Sequence, residues 1–68
     1  MKIYVVLDLD GNETEVKLAT LDLSEAITHL EIIRYGYIQV WENGAFKSYY
    51  QFGISGELEE SPSSHWYC

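Results

Sequence analysis

Residues 2–9, Lys-Ile-Tyr-Val-Val-Leu-Asp-Leu, alternate so that Ile3, Val5, Leu7 and Leu9 share one face, the period-two pattern of a strand. Asp10-Gly11-Asn12 follows, and either Asp-Gly or Gly-Asn suits a two-residue hairpin turn. Thr14 to Ala19 then alternates again, with Val16 and Leu18 expected inward. The period changes at Thr20-Leu21-Asp22-Leu23-Ser24-Glu25. There Asp22 is placed to accept from the third helical N–H and Glu25 to reach back to it, so a helix is predicted from about Leu23. Leu23, Ala26, Ile27 and Leu30 form its apolar stripe, Ile33 extends it, and Ser24, Glu25, Thr28 and Glu31 face water. Gly36 is the natural left-handed C-cap or bend into the next strand.

Tyr37 to Glu42 and Ala45 to Phe52 flank Asn43-Gly44, the strongest short hairpin signal in the chain. The order is β-β-α-β-β. Its simplest unknotted packing is an α+β fold, a four-stranded antiparallel sheet ordered 2-1-3-4 with one helix on one face. From Gly53 the periodicity dissolves. The chain therefore divides into a single α+β domain at 1–53 and an acidic C-terminal tail at 54–68, with Ile54, Leu58 or Trp66 as anchors.

Length and charge narrow the function. A chain of 68 residues buries only about 60% of the surface it exposes when unfolded, which leaves little room for an active-site cleft. Eleven Asp and Glu against four Lys and Arg give a net charge of −7, and the cations are scattered singly at Lys2, Lys17, Arg34 and Lys47. Direct nucleic-acid binding and adhesion to an anionic membrane are disfavoured, because both need a basic patch. The plain reading of such acidity is solubility, and the sharper one is attraction to a basic surface, such as one that holds nucleic acid. The lone cysteine, Cys68, has no internal partner; it reads as a terminal thiol, with an intermolecular disulfide as the lesser alternative. No leader or membrane-length apolar run is evident, so the expected location is the cytoplasm.

Asp8-Leu9-Asp10-Gly11-Asn12 opens like a calcium loop, but Glu13 stands where a sharp-turning glycine is needed and Ala19 where a bidentate glutamate should close the site. The flanks are strands, not helices, and no metal or cofactor is expected. The same hairpin tip has another property. With Gly11-Asn12 as the turn, Asp8 lies opposite Glu15 and Asp10 opposite Glu13; with Asp10-Gly11 as the turn, Asp8 lies opposite Glu13. Like charges in direct opposition destabilise a sheet by up to about 1 kcal/mol per pair. Asp8, Asp10, Glu13 and Glu15 are therefore candidates for contact with a basic partner, against the plainer reading of a solubilising tip.

The second hairpin is apolar on both faces. Ile38, Val40, Ala45 and Tyr49 lie on one and Tyr37, Trp41, Phe46 and Tyr50 on the other, with Trp41 opposite Phe46 and Tyr37 opposite Tyr50. If Ile38 and Val40 point inward with Ile3, Val5 and Leu7, the aromatic ladder joins Tyr4 and Val6 on the open face. Such a ladder marks a partner surface or a homodimer seam; otherwise it is itself core, or Trp66 and Tyr67 fold back over it.

Catalysis is not expected. The histidines are His29 and His65 alone, no nucleophile-elbow sequence occurs, and the five glycines sit singly at turns and ends rather than in a phosphate-binding loop.

In its size, acidity, β-β-α-β-β order and aromatic hairpin, the chain resembles the small phage-encoded anti-defence proteins, anti-CRISPR proteins among them. The stretch Thr20-Leu21-Asp22-Leu23-Ser24-Glu25-Ala26 resembles the helix starts of several small inhibitors. The resemblance implies a non-enzymatic inhibitor in the host cytoplasm. It would present carboxylates to a CRISPR effector or another nucleic-acid-binding complex, on the surface where a nucleic-acid backbone lies. The alternative is a small homodimerising structural or regulatory module whose seam is Tyr37, Trp41, Phe46 and Tyr50.

Overall fold

Both expected hairpins and the helix between them form, and a further strand joins them. In the computed structural model, which describes residues 1–10 and 13–66, the order is β1 (Lys2–Asp10), β2 (Glu13–Thr20), α1 (Leu23–Ile33), β3 (Gly36–Glu42), β4 (Ala45–Phe52) and β5 (Leu58–Pro62). A 3₁₀ turn at Ser63–His65 follows. The described residues build one antiparallel sheet ordered β2-β1-β3-β4-β5, with α1 packed on β1, β2 and β3.

The four-stranded 2-1-3-4 sheet expected from the sequence is thus extended by one strand. The segment 54–68, expected as a tail, supplies β5, which pairs with β4 from Phe52↔Leu58 to Ser48↔Pro62. Leu-Glu-Glu-Ser-Pro has no alternating apolar positions, so periodicity could not reveal it. An edge strand needs little apolar surface when its neighbour supplies a hydrogen-bonding ladder. The turn into it is closed by the Gly53 N–H on the Glu57 carbonyl at 2.8 Å and the Gly56 N–H on the Gly53 carbonyl at 3.0 Å.

The helix begins at Leu23, as expected. Asp22 Oδ1 accepts from the Ser24 N–H at 3.0 Å, the second helical position and not the third. The Asp22 N–H goes to Thr20 Oγ1 at 3.1 Å, so Thr20 fills the place expected of Glu25. At the other end the C-cap is Arg34, not Gly36. Arg34 takes φ 66° and ψ −40°, and the Tyr35 N–H meets the Ile33 carbonyl at 2.7 Å, a γ-turn of positive φ that is strained for a residue with a side chain. Gly36 serves a different need. It pairs with Asp8 as β3 begins, and a Cβ there would run into the Leu7 carbonyl oxygen.

Val6, Ala26, Leu30 and Ile38 form the core between sheet and helix, with Tyr4, Leu18, Ile27, Ile33, Tyr50, Phe52 and Leu58 packed against them. The helix face of β1 is therefore the even one. This corrects the expectation that Ile3, Val5, Leu7 and Leu9 point inward: they lie on the opposite face, where Ile3 and Leu9 are exposed and Leu7 is covered by its neighbours. Ile38 and Val40 do face the helix, paired with Val6 and Tyr4. A β-bulge in each hairpin accounts for the rest. Lys17 is the extra residue between Leu7↔Val16 and Val6↔Leu18, and Lys47 is the extra residue between Val40↔Ser48 and Trp41↔Phe46. Each bulge reverses the alternation beyond it, so Val16 and Leu18 are on opposite faces.

Candidate functional site

Two surfaces gather the residues that the sequence singles out. The first is the far end of the β1–β2 hairpin. Its register is Asp8↔Glu15 and Asp10↔Glu13, the arrangement that follows from a Gly11-Asn12 turn. The turn itself, and the side chains of Asp10 and Glu13, lie outside the described residues. β3 accompanies β1 only as far as Asp8↔Gly36, after which the Leu9 N–H on the Tyr35 carbonyl at 3.0 Å is the last tie. Asp10 and Glu13 thus lie beyond the supported part of the sheet. Lys17 Nζ stands 3.2 Å from Glu15 Oε2, the one ion pair among the described residues. Both partners are well exposed, so the pair is worth at most about 1 kcal/mol and leaves Asp8 uncompensated. Of the calcium-loop sequence, Asp8 to Asp10 belong to β1, while Gly11 and Asn12 lie outside the described residues. Among the described residues no three or more His, Cys, Asp or Glu side chains are grouped to hold a metal ion.

The second surface is the sheet face away from the helix. Trp41 stacks on Phe46 with ring centroids 5.5 Å apart, and Trp41 Nε1 donates to Gln39 Oε1 at 3.1 Å. Tyr37 meets Tyr49 edge to face at 5.8 Å. Trp66, returned by the 3₁₀ turn, lies across this group with edge contacts to Tyr37 at 4.8 Å, Tyr49 at 5.0 Å and Phe46 at 5.6 Å. Trp66 therefore folds back over the ladder; Tyr67, expected to join it, and Cys68 lie outside the described residues.

The expected ladder is corrected at one member. The bulge at Lys47 sets Tyr50 opposite Ile38, not Tyr37, and carries it to the helix face. Burial first, then the negative charge of Glu60 across the β4–β5 ladder, pushes the Tyr50 phenol above its ordinary value. Tyr49 takes its place among the aromatics and is buried. No sequence signal separates Tyr49 from Tyr50 without the bulge, whereas Trp66 is marked by being the sole large aromatic besides Tyr67 after Phe52.

The two histidines are far apart in role. His29 sits half-buried on α1, and the His65 main-chain carbonyl receives the Tyr49 hydroxyl at a long 3.4 Å. Among the described residues no helix is long and apolar enough to cross a membrane. No protein-family model, no curated protein and no solved structure matches this chain.

Proposed function

We propose that the chain acts without catalysis, in the cytoplasm, as a protein-binding inhibitor of the small anti-defence type. It would lay the β1–β2 hairpin on a basic surface where its partner, such as a CRISPR effector, holds nucleic acid. The observation that carries this reading is the cross-strand register Asp8↔Glu15 and Asp10↔Glu13 at the unsupported end of the hairpin. Asp8 opposite Glu15 sets like charges against each other, which works against folding, and a cationic partner turns the same arrangement into attraction. The net charge of −7 adds long-range steering toward such a surface.

Affinity capture from a bacterial lysate with the tagged chain, followed by mass spectrometry, tests the reading. One nucleic-acid-processing complex should be retained, released by raised salt and indifferent to nuclease. The fourfold variant D8N/D10N/E13Q/E15Q should then bind that complex more weakly, chiefly through slower association. Unchanged affinity after neutralisation would rule out nucleic-acid mimicry by this hairpin.

A further inference from the structure

An open sheet has two edges, and the two in this sheet differ. β5 is five residues long, carries Glu59 and Glu60 in succession and ends on Pro62, which has no N–H to offer. A second β5 brought up antiparallel would meet it with carboxylate against carboxylate. β2 is eight residues long, contains no proline, is interrupted by the Lys17 bulge, and among the described residues has β1 as its only neighbour in the sheet, so no described strand faces its outer N–H and C=O groups.

The side chains along β2 are self-complementary. Glu15 and Lys17 share a face, since they reach each other at 3.2 Å. Val16 lies between them on the other face, opposite Leu7, and is 61% exposed. Consider a second β2 approaching antiparallel about a two-fold axis at Val16. Glu15 then meets Lys17 of the second copy, Lys17 meets Glu15 of the second copy, and Val16 meets Val16. Sliding the pairing by one residue either way sets the charges against Thr14, Val16 or Leu18. Sliding it by two sets Glu15 against Glu15 or Lys17 against Lys17. One register therefore satisfies both charges and covers the exposed valine.

We infer that β2 is the seam of a symmetric homodimer, in which two sheets join edge to edge into one of ten strands with both helices on the same side. The bulge at Lys17 ends the regular alternation there, so the seam pairs run from Glu15 to Lys17 only, and the two acidic hairpin ends point away from it in opposite directions along the strands, which keeps their like charges apart.

Sedimentation across a wide concentration range tests this, with circular dichroism confirming that each variant is folded. The parent chain should reach twice the mass of one chain as concentration rises. Lys17→Glu and, separately, Glu15→Lys each place like charges in both cross-seam pairs and should raise the dimer dissociation constant about tenfold or more. The double variant E15K/K17E restores complementarity in reverse and should return the constant to near the parent value. Three results would overturn the inference: a parent that stays monomeric throughout, a dimer that survives both single changes, or a double variant as weak as the singles. A dimer that survives those changes and dissociates on Trp41→Glu would put the seam on the aromatic face instead.

Discussion

The two hairpins share a plan and differ in what their cross-strand pairs do. Each is a pair of antiparallel strands interrupted by one bulge whose extra residue is a lysine, Lys17 in β2 and Lys47 in β4. In β3–β4 the pairs stabilise the hairpin from within. Trp41 stacks on Phe46, Tyr49 meets Tyr37, and Trp66 closes over three of the four rings. The turn residues Asn43 and Gly44 take positive φ, as a tight hairpin requires, and Asn43 Oδ1 accepts from the Met1 amino group at 3.2 Å. In β1–β2 the support comes from outside. Tyr4, Val6 and Leu18 are held by α1 and β3, while the far end sets carboxylates against each other. Identical topology thus yields one hairpin that contributes stability of its own and one whose tip draws on its neighbours, and the second is where charge is on offer to a partner.

Removing the aromatic cover should break that contrast most. Trp66→Ala deletes three edge-to-face contacts and uncovers Tyr37, Phe46 and Tyr49, for an expected loss of about 2–3 kcal/mol in denaturant unfolding. Amide exchange should rise through β3 and β4 and change little at the β1–β2 tip. If stability and the near-UV circular dichroism of the tryptophans stay the same, Trp66 is not part of the hairpin's support and the open face is free for a partner.

The opposite sign is expected in the first hairpin. Asp8→Asn removes one of two opposed charges while keeping the Glu15–Lys17 ion pair, so it should stabilise the chain by up to about 1 kcal/mol at low salt, with the gain shrinking as salt rises. It should also slow association with the captured partner. A loss of stability would mean that Asp8 makes a favourable contact in the folded chain, and the argument from opposed charges would fall.

How far these features were legible follows from what each depends on. The Asn43-Gly44 turn, the helix start at Leu23 and the two registers open to the first hairpin, of which the chain adopts Asp8↔Glu15, rest on local signals: turn dipeptides, a capping aspartate and pairing counted outward from a turn. Three features depend on something else. β5 lacks apolar alternation and exists because β4 offers it a ladder. The inward face of β1 depends on where α1 lands, and both of its faces are apolar enough to be chosen. The bulges at Lys17 and Lys47 leave no mark in composition, yet each moves every residue beyond it to the other face. That is why counting from Asn43-Gly44 sets Tyr50 opposite Tyr37 whereas it lies opposite Ile38; Val16, short of the Lys17 bulge, keeps its counted partner Leu7 and is exposed because that face of β1 turns away from the helix.

The Lys47 bulge also gives the second hairpin a sensitivity at alkaline pH. It turns Tyr50 to the helix face, where burial and then Glu60 opposite raise its phenol above the ordinary 10.0. The unfolded chain therefore releases this proton at lower pH than the folded chain does. Between the two values the unfolded state binds fewer protons, so the associated stability is whole below about pH 10 and falls as pH climbs through the raised folded value. Tyr50→Phe removes the linkage while keeping the ring against Tyr4 and Ile38. Melting temperatures measured from neutral to strongly alkaline pH should run parallel for parent and variant until about pH 10, after which the parent should fall faster. Curves that stay parallel throughout would mean that Glu60 and the buried setting do not act on this phenol. The distinction drawn between Tyr49 among the aromatics and Tyr50 on the helix side would then lose its electrostatic support.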